Sequence, residues 1–360
     1  MVTVQMRLSR SANWLSSEFY VRGGGEEVDN HATITSVTVS PRITTLPCMT
    51  FCHFAALRKV VLPPDVRRIR TQCFQGCKQL AEINLEHVWV IESQAFDGCA
   101  QLERAVLTRA TLLGDQAFQF CVKLETVAFG NELTDVGREC FRWCEELWAV
   151  AMPASAERIG VGAFYSCSNL ASFTGSRITE ISSEMFAWCT SIKACDIPDS
   201  VTTIGQLAFA ACNRLTELRI PSLVEHIDNG AFEDCSRLRL LAIPLTDNVG
   251  RGAFAGCAMK VLEAPRAFEV TPEHFRRRGG SEGVVPPGIW LTQSTRLTWS
   301  TKLHCSKGKD VLPRRIKTWI MTLLLVGARA RLCHRPGQKM PCVSNDAWLR
   351  MLTYITVADI

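Results

Sequence analysis

The chain has 360 residues, 47% of them hydrophobic and 21% charged, the composition of a folded protein rather than a disordered one. A formal net charge of +5 is small for this length and gives no case for nucleic-acid binding. Charge is uneven, however: from Arg266 onward sixteen Lys/Arg face six Asp/Glu, net +10, which leaves −5 on the first 265 residues and points to two segments with different roles.

Residues 1–36 lack the continuous apolar core of a secretory signal and are read as an N-terminal cap or a disordered segment, so a cytoplasmic, reducing location is the default. From Val37 to Pro265 one phrase keeps returning. Its phenylalanines fall at 51, 74, 96, 118, 141, 164, 186, 209, 232 and 254, always 22 or 23 residues apart. Three residues after each Phe comes Cys, at Cys77, Cys99, Cys121, Cys144, Cys167, Cys189, Cys212, Cys235 and Cys257, with Phe54 in that slot of the first unit. Three further on comes Leu or an equivalent, from Leu57 to Met259. A fixed period over about ten units predicts a solenoid, because each unit is too small to bury its apolar faces alone.

After the Leu, alternating apolar residues such as Leu218 and Ile220 predict a short half-buried strand, closed by a Pro that cannot donate to a ladder. A second apolar pair, such as Val201 and Ile204, leads back to Ala-Phe. The same period decides the role of the cysteines. A column of thiols at one repeat position is read as a row of small buried hydrophobes, structural rather than disulfide-forming, since stacked coils lie roughly 4.8 Å apart and disulfides prefer closer Cβ atoms.

The string from Cys189 to Leu215, "CTSIKACDIPDSVTTIGQLAFAACNRL", resembles the BspA-type leucine-rich repeat, and the resemblance covers residues 37–265. It implies a curved right-handed solenoid with a parallel β-sheet on one face and an irregular, turn-rich opposite face. Proteins of this class often act as surface proteins that bind host or matrix proteins.

Beyond Pro265 the repeat fails. Residues 266–311 read as a basic Pro/Gly linker, and residues 312–360 as a partly helical C-terminal segment, either a cap or a truncated module. The phrase from Met340, "MPCVSNDAWLRMLTYITVADI", weakly resembles the opening of an F-box. The apolar run from Thr318 to Ala328 rises only about 16 Å as a helix, half a bilayer core, and is read as a buried helix rather than a membrane span.

No phosphate loop, nucleophile elbow or zinc-protease motif is present, and no Cys-x-x-Cys spacing supports a metal site among His304, Cys305, Cys333, His334 and Cys342. No enzyme, cofactor, metal, small-molecule substrate or nucleic acid is expected; the expected partner is a protein. Two surfaces are candidates. The outward strand positions Asn84, Val106, Ala128, Ala151, Thr174, Asp196, Arg219 and Ala242 form a sheet face that is small and weakly polar in its middle. The residue just before the column Cys is small or polar in most units but is Phe120, Trp143 and Trp188 in three, either an exposed aromatic edge for a partner or rings that fold over one another to seal the turn. These features predict a non-enzymatic interaction scaffold. A surface adhesin and a substrate-recognition subunit of a ubiquitin ligase are the other functions in view.

Overall fold

The structure, a computed structural model, describes residues 3–7, 20–21, 33–258 apart from 42, 176, 194 and 243–247, and then 261–264, 271–276 and 290–293. The chain divides into two units, Met1–Leu297 and Thr298–Ile360, and the described residues all belong to the first. The cap or F-box-like segment expected over 312–360 and the His/Cys pairs around it lie outside the described residues, as does most of the expected linker.

The described chain is a parallel β-solenoid in which every coil has the same three sides. One side carries the longer strands. Ser36–Val39, Lys59–Val61 and Glu82–Ile83 pair in parallel, as do Arg104–Leu107 through Ser172–Thr174 and Glu217–Arg219 through Val261–Ala264. Their alternation puts residues such as Val60, Ala105, Val150 and Leu218 inward. The proline that follows opens a turn: the carbonyls of Pro63, Pro153, Pro198 and Pro221 accept the amides of Val66, Ala156, Val201 and Val224, all buried. The second side is a ladder of two-residue strands, from Thr45–Leu46 through Arg158–Ile159 and again from Glu180–Ile181 through Asn248–Val249.

The third side is the turn around each Phe. The ten phenylalanines are buried and stack in one column, with neighbouring ring centroids 5.0 Å apart at Phe51–Phe74 and 5.5 Å at Phe141–Phe164. Along this side each Phe amide donates to the next coil, as from Phe118 to the Cys140 carbonyl at 2.8 Å. The slot just before Phe, Ala in six coils, Cys73 and Cys140 in two and Thr50 and Met185 in the other two, is buried throughout.

The nine column thiols are buried, and each has a polar partner that the reading as plain hydrophobes did not include. Cys167 Sγ donates to the Phe141 carbonyl at 3.1 Å, and the same bond to the Phe of the preceding coil recurs from Cys77 to Cys257. A serine here would therefore not bury an unpartnered hydroxyl. Burial pushes the Cys77 thiol up to about 12 and raises Cys99, Cys144 and Cys189 well above the ordinary thiol range, so the column stays protonated.

The coil pattern continues past Pro265. Thr271 precedes a 3-10 turn, Pro272–Phe275, whose Phe275 is buried at 6.0 Å from Phe254, while the Phe254 amide donates to the His274 carbonyl. Trp290–Gln293 then pairs in parallel with Val261–Ala264. At the other end Thr3–Arg7 pairs in parallel with Ser36–Val39 and antiparallel with Tyr20–Val21.

Alkylation by iodoacetamide at pH 8, read by mass spectrometry over residues 33–258, should modify Cys48 and Cys52 in the folded chain and reach the column only after denaturation. Fast native labelling of Cys121 or Cys167 would contradict the buried column. Cys167→Ala, which removes the thiol bond and its volume, should cost about 1–2 kcal/mol in urea unfolding.

Candidate functional site

Each turn contains two residues in the left-handed region of backbone space, one two residues before the Phe and one two residues after it. Around Phe118 these are Gln116 (φ 58°) and Phe120 (φ 56°), around Phe141 Glu139 (φ 52°) and Trp143 (φ 62°), and around Phe186 Glu184 (φ 58°) and Trp188 (φ 64°). This conformation costs an L-residue with a Cβ roughly 1–2 kcal/mol, which glycine avoids. Gly76, Gly98 and Gly256 meet that preference at the second position, and Ser166, Ala211 and Asp234 carry only a small side chain there. His53, Phe120, Trp143 and Trp188 carry large ones.

The rings are only partly sheltered. Phe120 is 44% exposed and Trp188 52% exposed, whereas Trp143 is half-buried. Phe120 and Trp143 stack at 6.3 Å with an interplanar angle of 18°, so these two do fold over one another. Trp188 stands two coils further on and makes no ring contact among the described residues. Tyr165, absent from the sequence-based candidates, completes the cluster: its ring lies 6.5 Å from Trp143 at a tilt of 53°, and the Arg142 guanidinium sits 4.6 Å above it.

A polar rail runs beside the rings. The side-chain amide of Gln72 donates to Gln94, Gln94 to Gln116 and Gln116 to Glu139, at 2.7–2.9 Å. Glu139 closes the rail and also accepts from Arg142. Partial burial raises the Glu139 carboxyl, but the bonds from Gln116 and Arg142 outweigh it and hold the group below the usual carboxylate range. Arg142 is thereby fixed between an anion and an aromatic face.

The sheet face is plainer. Val106, Ala128, Ala151, Thr174, Asp196 and Arg219 are exposed, and Val106 lies in register with Ala128 and Ala151 with Thr174. Asn84 is half-buried and staples two coils, donating to the Leu62 carbonyl and accepting from the Leu62 amide. The side chain of Ala242 lies outside those described. Two further exposed tryptophans went unread in the sequence: Trp89, with the Arg67 guanidinium 5.4 Å from its ring, and Trp148, 56% exposed. Among the described residues no group of three or more His, Cys, Asp or Glu is placed to hold a metal, and no helix is long and apolar enough to cross a membrane.

The period, the Phe–Cys turn and the two ladders are accompanied by a match of residues 27–148 and 134–261 to the model of the "BspA type Leucine rich repeat region (6 copies)". The chain belongs to the BspA-type leucine-rich repeat family. Several solved structures resemble this BspA-type chain. A leucine-rich repeat protein from Bacteroides ovatus is 21% identical, with 74% of this chain and 87% of that one covered and a TM-score of 0.36. A leucine-rich cell surface protein from Faecalibacterium prausnitzii is 23% identical, covering 64% and 79%, with a TM-score of 0.41. The pneumococcal vaccine antigen PcpA is 18% identical, covering 72% and 84%, with a TM-score of 0.46. No curated protein matches the chain.

Because its ring is exposed and its backbone strained, Trp188→Gly should leave the unfolding free energy unchanged or raise it by up to about 1 kcal/mol. A drop of 2 kcal/mol or more in urea unfolding would assign the ring to the core. Trp143→Gly, which loses the stack on Phe120, should be the less stable of the two variants.

Proposed function

We infer that this BspA-type array is a non-enzymatic scaffold that binds a protein partner through the middle of its turn side. The family consists typically of protein-interaction modules. The observation that carries the reading is the left-handed backbone at Phe120, Trp143 and Trp188. A glycine there would avoid the cost, so three large aromatics at this position, two of them exposed, are explained by a use outside the fold. Half-exposed Trp and Tyr beside an immobilised Arg are also the residue types that anchor protein interfaces. The sheet face, with alanines at its centre, offers a partner little area and no anchor. A reducing compartment suits the exposed Cys48 and half-buried Cys52, which remain thiols there.

Capture of partners on the immobilised full chain tests the assignment of face. Trp188→Gly should lose the partners held by the wild type, while Ala128→Glu with Ala151→Glu should keep them. The opposite pattern would move binding to the strands.

A further inference from the structure

Both strand ladders are interrupted at one place in the array. Along the two-residue strands, two backbone bonds at fixed positions tie each coil to the one before it. Glu157 and Gly160 donate in this way to the Thr134 and Val136 carbonyls, and Thr202 and Gly205 to the Thr179 and Ile181 carbonyls. In the coil between, the same positions are Thr179 and Ser182. Among the described residues neither amide makes the bond, and the Ile159 carbonyl takes the Ser182 hydroxyl instead. Along the longer strands the gap falls one coil later. Ser172–Thr174 pairs with Ala149–Ala151 behind it, but residues 195–197, which follow it in the stack, form no strand. On this side the Lys193 carbonyl is tied forward, to the Thr216 amide. The chain therefore leaves one laddered block at Thr174 and enters the next at Glu180, crossing through residues 175–179, where Arg177 is exposed.

Among the described residues, only the turn side carries backbone bonds from one block to the other. Gly162 donates to the Ser183 carbonyl, Phe164 to Met185 and Ser166 to Ala187, and the Cys189 thiol donates to the Phe164 carbonyl. The Thr190 hydroxyl adds a bond to the Ser168 carbonyl beside them. We infer that the array is two blocks hinged along the turn side, with both strand sides free to open where residues 175–179 cross. A hinge needs a few connecting residues that absorb the change and a set of contacts that persists through it, and this site has both. Opening breaks no backbone hydrogen bond between the blocks, so it belongs to the low-energy end of local motions. Its extent is limited by Phe173, Ile178 and Ile197, buried side chains that a wide gap would wet. Trp143 and Tyr165 stand on the first block and Trp188 on the second, so the aromatic edge lies along the hinge line. Points near such a line move least, and the edge keeps its spacing while the strand sides open.

The test is the distance between pairs of spin labels, attached in the full chain through a genetically encoded azide residue and read by double electron–electron resonance. Each pair spans five coils, about 24 Å at the spacing of paired strands. Arg104 with Glu217 crosses the hinge on the side of the longer strands, and Lys59 with Ser172 stays within the first block on that side. Ser93 with Gln206 crosses the hinge on the turn side. The distance distribution of the first pair should be at least twice as wide as that of the second, and the third should be as narrow as the second. Ser182→Ala, which removes the hydroxyl bond to Ile159, should widen the first pair further and leave the second unchanged. Equal, narrow distributions for all three pairs would overturn the hinge, the gaps then being a fixed irregularity in a rigid array. A turn-side pair as wide as the first would overturn the placement of the hinge on the turn side. The wild-type widths decide between these outcomes even where Ser182→Ala fails to fold.

Discussion

One carbonyl oxygen per coil organises this solenoid. The Phe141 carbonyl accepts the Cys144 amide at 3.1 Å, which closes its own turn, and the Cys167 thiol at 3.1 Å, which fixes the next coil upon it. The same double acceptance recurs along the column. It accounts for cysteine at this position better than size does. Alanine would leave the second bond unmade. Serine would offer its hydroxyl from a shorter bond and carry a larger desolvation cost. The thiol is long, weakly polar and cheap to bury. Because the bond joins neighbouring coils only, stability is a sum of nearest-neighbour steps, and variation on one coil is contained there.

That local character lets the turn bear strain. Two left-handed residues per coil are imposed by the geometry that brings the Phe amide onto the next coil, so each is a position where a residue with a Cβ bears a cost that glycine avoids. A coil fixed by its Phe stack, its thiol bond and its turn amides can hold a Trp there. The side chain necessarily projects from a tight turn, away from the core, so a bulky residue placed at this point becomes surface. Phe120 and Trp143 recover part of the cost by stacking, and Trp188 recovers none from another ring.

Much of this was legible in the sequence, because ten near-copies repeat the same burial pattern and Phe, Cys and Leu recur at fixed offsets. The family assignment and the parallel ladders follow from that recurrence. The conformational strain was not legible in itself: Gly76, Gly98 and Asp234 hinted at a left-handed position, but the hint reads equally as a preference for small or polar residues at a solvated turn. Tyr165 and Arg142 escaped notice because they occupy the position after Phe, which varies freely from coil to coil and meets its neighbours only across the stack. The turn at Phe275 escaped because the spacing shortens there and a Pro-Glu-His stretch replaces the usual lead-in to Ala-Phe. Composition suggested a linker where stacking on Phe254 defines a further turn.

The placement of the aromatic edge also follows from the core beneath it. Phe173 occupies an inward strand position that other coils fill with smaller residues such as Val60, Ile83, Ala105, Cys195 and Leu218, and its ring lies edge-on to both Phe164, at 5.6 Å, and Phe186, at 4.8 Å. The Phe164–Phe186 separation is 5.9 Å, against 5.0–5.5 Å for the five pairs before it and 6.1 Å at Phe232–Phe254. At the same step the ladder of short strands is interrupted between Arg158–Ile159 and Glu180–Ile181, where the Ser182 hydroxyl donates to the Ile159 carbonyl. The turn side alone stays continuous, through the Phe164 and Ser166 amides and the Cys189 thiol. Ser166 and Trp188 lie on the two sides of this step. Phe173 therefore fills the core under the gap between Trp143 and Trp188, and the turn bonds keep the two coils in register. The ring beneath this part of the edge belongs to a residue that stays buried.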